Sequence, residues 1–136
     1  MNVLVDTSVW SLALRRTRQR ADGRVDELAQ LIEEGRAILI GPVRQELLSG
    51  IRNPAQFHQL RDRLRAFPNL AIGTPDYEGA AAFFNRCRAR GIQGSNTDFL
   101  ICALAVRRGM SIFTTDDDFA AFTTVLPLHL HARRTR

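Results

Sequence analysis

Short apolar runs alternate with longer amphipathic segments along the 136 residues of the chain. The apolar runs predict five strands, at residues 2–5, 37–40, 70–72, 111–114 and 124–128. Because most of these runs are continuously apolar rather than alternating with polar residues, they favour strands that are covered on both faces, as in a parallel sheet.

The segments between the strands have the spacing and the end signals of helices. Residues 24–34 place their apolar side chains on one face, and the glycine that follows is a typical helix stop. Polar residues followed by proline are typical of a cap and the first turn of a helix. The other predicted helix starts are the Asn53-Pro54 pair, the Thr74-Pro75 pair, and Asp98 with Asn96 or Thr97 as its cap.

Strands that alternate with helices predict a three-layer α/β domain with a central, mostly parallel, five-stranded sheet flanked by helices. The length favours a single domain over residues 1–136, with a flexible basic tail from about residue 130. No apolar run reaches the roughly 20 residues of a membrane span, and the first residues have no signal-peptide pattern. The two cysteines lack metal-site spacing, so we expect reduced thiols in a cytoplasmic protein.

The positive charge comes from arginine alone. All 19 basic residues are Arg, and the net charge is +5. The absence of lysine excludes a P-loop lysine and Schiff-base chemistry. Arginine suits phosphate recognition, although genomic base composition can also enrich it. Whether the Arg-rich segments 15–20 and 133–136 touch RNA is left open by the sequence.

Acidic residues follow two of the predicted strands. Asp6 comes directly after the first strand, and Asp116 comes after the fourth. In open parallel sheets, ligand-binding and active sites form beyond the carboxyl ends of the strands. If these two strands are neighbours, the two carboxylates meet at one rim of the sheet.

Two more acids could line the same rim. Glu46 lies beside the buried stripe of the helix after the second strand, and Asp98 begins a helix that is apolar almost all the way round. Four convergent carboxylates repel one another, and hard divalent cations such as Mg²⁺, or Mn²⁺, are the natural compensation. Such a site predicts metal-assisted hydrolysis of a phosphodiester bond.

The stretches VLVDTSVW, PVRQELLSG, NTDFLICALAVRRG and FTTDDDF, in this order, resemble the PIN domain, and more narrowly the VapC-type toxin ribonucleases. The resemblance covers nearly the whole chain. It implies an acidic quartet and three supporting positions, with Asp117 at a variable, exposed and dispensable position. The quartet is Asp6, Glu46, Asp98 and Asp116, and the supporting residues are Ser8, Thr114 and Asp118.

The resemblance further implies a Mg²⁺-dependent endoribonuclease, the toxin of a type II toxin–antitoxin pair. It implies a homodimer and a cognate antitoxin whose C-terminal segment covers the active site. We expect Asp6, Asp98 and Asp116 to hold the principal ion and Glu46 to bind a second ion or order its water. Asp118 is expected to cap a short helix and support the site.

Two other functions remain compatible with the residues. An Arg-rich RNA-binding module with purely structural acids would explain the charge without catalysis. A phosphotransferase or phosphatase acting through a phospho-aspartate at Asp6 is disfavoured, because that chemistry calls for a second aspartate where Ser8 stands and for a lysine that the chain lacks.

Overall fold

Three parallel strands form the centre of the sheet. The computed structural model describes residues 1–14 and 23–134. The strands are β1 (Val3–Val5), β2 (Ala37–Ile38) and β3 (Ser111–Phe113), in the order β2-β1-β3. All three residues of β1 are fully buried, as expected of a central parallel strand covered on both faces.

Seven helices surround this sheet in the described part of the chain, and the predicted α/β fold with a flanked parallel sheet is confirmed. They are α1 (Thr7–Leu14), α2 (Gly23–Glu33), α3 (Gly41–Leu48), α4 (Pro54–Leu64), α5 (Thr74–Arg88), α6 (Asn96–Arg108) and α7 (Asp118–Phe122). Residues 99–105 of α6 are all buried, so α6 is the central helix of the core. Within the described ranges, none of these helices combines the length and the apolar character that crossing a membrane requires.

The two remaining predicted strands, at residues 70–72 and 124–128, do not form, and single parallel bridges lie just outside them. Leu39 pairs in parallel with Asn69, and Ile112 with Leu130. Residues 70–72 form no ladder because the chain turns directly into α5. Residues 124–126 lie in turns rather than a strand, and the hydroxyls of Thr123 and Thr124 donate to backbone carbonyls at the end of α7.

Two helix starts differ from the prediction because other residues supply the caps. Ser95, rather than Asn96 or Thr97, caps α6, and its hydroxyl accepts the N–H of Asp98. Gly73 precedes α5, and its N–H donates to the Asp76 carboxylate. Asn53 caps α4 as predicted, accepting the N–H of Gln56.

Two residues near the end of the described chain contact a buried carboxylate on α2. His131 Nε2 lies 2.7 Å from Glu27 Oε2, and Arg134 Nε donates to the same oxygen over 2.9 Å. Arg134 also pairs with Glu34. Glu27 is only 3% exposed, and a buried carboxylate requires hydrogen-bonding partners of this kind. The flexibility of the tail from about residue 130 stays a prediction; residues 135–136 and the Arg-rich residues 15–20 lie outside the described part.

The pKa of Glu27 reflects these contacts. Burial alone would raise it, but the hydrogen bonds from His131 and Arg134, with the positive charge of Arg134, lower it below its ordinary value. Glu27 and these two residues therefore form an ionic clasp between α2 and the end of the chain.

Candidate active site

The carboxyl ends of β1 and β3 lie side by side, as the acid pattern requires. Val5 is in register with Phe113, and the N–H of Asp6 donates to the carbonyl of Phe113 over 2.9 Å. Asp6 and Thr114, which directly follow the two strands, therefore start from the same rim of the sheet.

Asp6 is 6% exposed, and three donors surround its carboxylate. Oδ1 accepts the backbone N–H of Thr7 over 2.8 Å. Oδ2 accepts the hydroxyls of Ser8, at 3.0 Å, and Thr114, at 2.8 Å. Because the donors come from both α1 and the end of β3, the orientation of the Asp6 side chain is fixed by two separate elements.

The same two hydroxyls organise the loop after β3. Thr114 Oγ1 accepts the N–H of Asp116 over 2.9 Å, and Ser8 Oγ accepts the N–H of Thr115 over 3.1 Å. Each hydroxyl thus donates to Asp6 and accepts from the loop that carries Asp116. This network ties the position of Asp116 to that of Asp6.

Asp98 reaches the site from the first turn of α6. Its carboxylate accepts the N–H of Ser95 over 3.1 Å, completing a capping box. Burial raises the pKa of Asp98 above its ordinary value; the hydrogen bonds with Ser95 lower it, and the carboxylates of Asp6 and Asp116 raise it. Of the three acids predicted to hold the principal ion, the structure groups Asp98 with Asp116, while Asp6 acts on Asp98 through its charge.

Asp118 approaches the others more closely than expected. Asp98, Asp116 and Asp118 each present a carboxylate oxygen, and these oxygens all lie within 4.8 Å of one another. Asp118 was predicted to be a cap, but Asp117 holds the N-cap position and Asp118 is the first residue of α7. The N–H of Asp118 donates to Asp116 Oδ1 over 2.9 Å. The cap-like bond is therefore made by Asp116, while Asp117 is exposed, as predicted.

Glu46 lies on α3 and is exposed. Its Oε1 accepts the hydroxyl of Thr7 over 2.6 Å. Thr7 thus contacts two of the predicted acids, with its backbone toward Asp6 and its side chain toward Glu46. Thr7 was not among the residues predicted from the sequence to form the site; its position directly after Asp6, at the start of a helix, was the signal that could have identified it.

The donor set suits a hard divalent cation. It consists of carboxylate oxygens supported by hydroxyls, and no lysine exists in the chain to neutralise them. The side chains that would hold such an ion are those of Asp98, Asp116 and Asp118, with Asp6 beside them.

A basic concavity of about 400 Å³ lies on the α3–α4 side of the molecule. Arg44, Arg61 and Arg65 line it, above an apolar floor that includes Leu48 and Phe67. The Arg44 guanidinium donates to the carbonyls of Leu64 and Phe67 and to the side chain of Asn69. Asp62 pairs with Arg61 and Arg65. Three cations and one nearby carboxylate leave this surface positive.

An apolar groove of about 490 Å³ lies between α5 and the start of α6. Tyr77, which is 55% exposed, and Phe84 lie on its α5 side, and Asn96 and Thr97 lie on its α6 side. Two of the residues that line the groove, Thr97 and Phe99, are the sequence neighbours of Asp98.

Comparison with known proteins gives one consistent result. The pattern of the family described as PIN domain matches residues 3–124. Ribonuclease VapC11 of Mycobacterium tuberculosis (strain ATCC 25618 / H37Rv) is 30% identical over 128 residues, which cover 93% of this chain and 95% of that protein.

Solved structures agree on the fold. FitAcB from Neisseria gonorrhoeae superposes with a TM-score of 0.76 at 23% identity and covers 96% of this chain and 97% of its own. VapBC2 from Rickettsia felis, bound to a DNA fragment from its promoter, gives a TM-score of 0.74 at 17% identity, with 96% and 98% covered.

Proposed function

This chain belongs to the PIN domain family and, at 30% identity over 93% of its length, to the VapC ribonucleases, and we propose that it is a Mg²⁺-dependent endoribonuclease, the toxin of a type II toxin–antitoxin pair. The observation that carries the proposal is the convergence of carboxylates from the start of α6 and from the segment after β3. Asp98, Asp116 and Asp118 lie within 4.8 Å of one another, with Asp6 close enough to affect the pKa of Asp98.

The proposed reaction is hydrolysis of an RNA phosphodiester bond, with the 3′ oxygen as leaving group. A divalent ion bound by these acids would polarise the phosphate, favour hydroxide formation near neutral pH and offset charge on the leaving oxygen. Hydrogen bonds within the protein orient two of these acids. Ser8 and Thr114 fix the Asp6 carboxylate, and the Thr114 hydroxyl sets the start of the Asp116 loop.

Glu46 has a different role in this proposal. It is exposed and is contacted by Thr7 rather than by the other acids. Its carboxylate can therefore orient a water on the open side of the site or bind a second ion. We propose the four acids Asp6, Glu46, Asp98 and Asp116 as the catalytic set, with Ser8, Thr114 and Asp118 as supporting residues.

The direct test is cleavage of total RNA by the purified protein with Mg²⁺ and with excess chelator. We expect cleavage with Mg²⁺, or with Mn²⁺ in its place, and none in chelator. Asp6→Asn and Asp98→Asn should abolish it while the circular dichroism spectrum stays native. Asp117→Asn is the matched control, since it removes the same charge at an exposed position next to Asp116, and it should cleave normally.

Two results would contradict the proposal. Cleavage retained by Asp6→Asn or Asp98→Asn would reject the acidic set. Absence of cleavage, together with equal RNA affinity with and without Mg²⁺, would favour the RNA-binding module instead.

The basic concavity is the proposed contact for the RNA backbone. Arg65 is exposed and Arg61 is partly exposed, and Phe67, which lines the same concavity, can contact a base. Single-stranded or looped RNA fits such a surface, because its bases are accessible to apolar side chains. Phosphate contacts of this kind make binding depend strongly on salt.

The proposed partner is a cognate antitoxin whose C-terminal segment covers the acids. Solved structures with the same fold include a toxin–antitoxin complex from Klebsiella pneumoniae and a member of the VapBC family of toxin-antitoxin systems, and the apolar groove at the start of α6 gives such a segment a place to bind. Tyr77→Ala should weaken the complex with the protein encoded by the adjacent reading frame without changing RNA cleavage. We also propose a homodimer, which light scattering on the purified protein would detect as twice the mass of the chain.

A further inference from the structure

Thr7 occupies the junction between two of the acids. It is the first residue of α1, and its backbone N–H donates to Asp6 Oδ1 over 2.8 Å. Its hydroxyl donates to Glu46 Oε1 over 2.6 Å, across 39 positions of the chain. One residue therefore connects the end of β1 to α3.

The contact with Thr7 can fix the position of the Glu46 side chain. Its side chain is exposed, and a free glutamate side chain samples many rotamers. Within residues 1–14 and 23–134, the Thr7 hydroxyl is the one group found in a hydrogen bond or ion pair with Glu46. A hydroxyl that donates to a carboxylate forms a short, strong bond, so this contact can select one position of the Glu46 side chain.

The three threonine and serine hydroxyls of the site contact different acids. Those of Ser8 and Thr114 both donate to Asp6 Oδ2. The Thr7 hydroxyl alone among them faces α3, and α1 packs against α3 beside it. Removing it would leave the bonds to Asp6 intact and would release Glu46 alone.

We propose that Thr7 is a positioning residue for Glu46. Its hydroxyl holds the Glu46 carboxylate at the rim of the sheet, where that carboxylate can orient water or an ion opposite the other acids. This inference rests on the proposed function, because it assigns Glu46 a part in the same reaction.

Thr7→Val tests the inference while changing little else in the structure of the site. Valine keeps the backbone N–H to Asp6, the β-branched shape and nearly the same volume, so only the hydroxyl is removed. We expect kcat for RNA cleavage to fall by about 10- to 100-fold, the usual effect of removing a partner that orients a metal-site carboxylate. KM should change little, because Thr7 is not among the residues that line the basic concavity.

Two control variants separate positioning from folding. Thr7→Ser restores the hydroxyl and should recover most of kcat. Thr124→Val removes a threonine hydroxyl that donates to the carbonyl of Ala121 at the end of α7, and it should cleave normally. If Thr7→Ser is as impaired as Thr7→Val, the hydroxyl is not the active element and the inference is wrong.

A double-mutant cycle asks whether Thr7 acts through Glu46. Glu46→Ala removes the acceptor, so adding Thr7→Val to it should have no further effect on kcat. Additive effects of the two substitutions would overturn the inference, because independent residues contribute independently.

Metal binding gives a readout that does not need cleavage. Mn²⁺ titrations followed by electron paramagnetic resonance, without RNA, should show weaker binding or an altered spectrum for Thr7→Val and a wild-type result for Thr7→Ser. The same double-mutant cycle can be run on Mn²⁺ affinity if Glu46→Ala cleaves too slowly.

The outcomes for Thr7 and for the proposed function are distinguishable. If the wild-type protein cleaves RNA, Asp98→Asn does not, and Thr7→Val matches wild type in both kcat and Mn²⁺ binding, then the inference fails and the nuclease stands. If the wild-type protein does not cleave RNA but Thr7→Val alters Mn²⁺ binding, the positioning role survives without the reaction.

Discussion

Thr114 Oγ1 donates a hydrogen bond to Asp6 Oδ2 over 2.8 Å, joining residues that lie 108 positions apart in the chain. The same oxygen accepts the N–H of Asp116. One hydroxyl thus fixes a buried carboxylate and the loop that brings the next carboxylate to it. The pairing is possible because β1 and β3 are adjacent and in register, so both strands leave the sheet at the same rim.

Thr114→Val should therefore impair both stability and cleavage. Asp6 loses one of its three donors, and the N–H of Asp116 loses its acceptor, so we expect the free energy of unfolding to fall by about 1–3 kcal/mol. RNA cleavage should fall by about 10- to 100-fold. Urea unfolding and single-turnover cleavage measure the two effects, and Thr114→Ser should restore both. Wild-type cleavage by Thr114→Val would remove Thr114 from the supporting set.

Asp98→Asn should make the metal-free protein more stable at neutral pH. The pKa of Asp98 is raised in the folded state, so folding favours its protonated form. The ionised form therefore costs stability above the folded-state pKa, and this cost disappears below the ordinary value of 3.8. Asparagine removes the charge but can still accept the Ser95 N–H.

Thermal unfolding in chelator checks this expectation. The melting temperature of Asp98→Asn should exceed that of wild type at pH 7 by a few degrees, and the difference should shrink toward acid pH. Adding Mg²⁺ should stabilise the wild type more than the variant. A variant that melts earlier than wild type in chelator would show that repulsion among the acids is not the dominant effect.

The arginines of the basic concavity should affect RNA binding rather than chemistry. With Arg61→Ala and Arg65→Ala combined in an Asp98→Asn background, RNA affinity should fall. The slope of log affinity against log salt should decrease by about 0.7 for each phosphate that the protein no longer neutralises, as for single-stranded nucleic acid. Fluorescence anisotropy over a salt series measures both quantities.

Arg63→Ala is the matched control for these arginines. Arg63 carries the same charge between Arg61 and Arg65 in the sequence but does not line the concavity. Equal decreases of affinity for Arg63→Ala and for either concavity arginine would mean that only the overall charge of α4 matters.

The clasp at Glu27 should stabilise the protein above acid pH. The folded-state pKa of Glu27 lies below its ordinary value of 4.5, so its contribution is fully present above about that value and is lost as the pH falls through the folded-state pKa. Glu27→Gln should lower the free energy of unfolding by about 1–3 kcal/mol at pH 7.

Urea unfolding of wild type and Glu27→Gln at several pH values tests this assignment. The difference between them should vanish at strongly acid pH, where the wild-type carboxyl is protonated. Glu34→Gln is a useful comparison, because Glu34 pairs with Arg134 but is less buried than Glu27. A pH-independent difference between wild type and Glu27→Gln would mean that shape, rather than charge, stabilises the clasp.

The sequence alone determined the fold class and the candidate acids. Continuously apolar runs are a local signal of buried parallel strands, and the acid that ends such a run is visible in the sequence. Asp6 after β1 and Asp116 after β3 were found in this way. Glu46 and Asp98 needed the resemblance to the PIN domain as well, because each is locally an ordinary helix acid.

Tertiary structure decided the contacts among these residues. The placement of β1 between β2 and β3 brings Asp6 beside Thr114, and the packing of α1 on α3 brings Thr7 to Glu46. The clasp between Glu27 and the C-terminal segment, and the close approach of Asp118 to Asp98, also have no local signal. Sequence periodicity extends over a few turns of helix or a few residues of strand, whereas these pairs depend on strand register and on the rotamers that long-range packing selects.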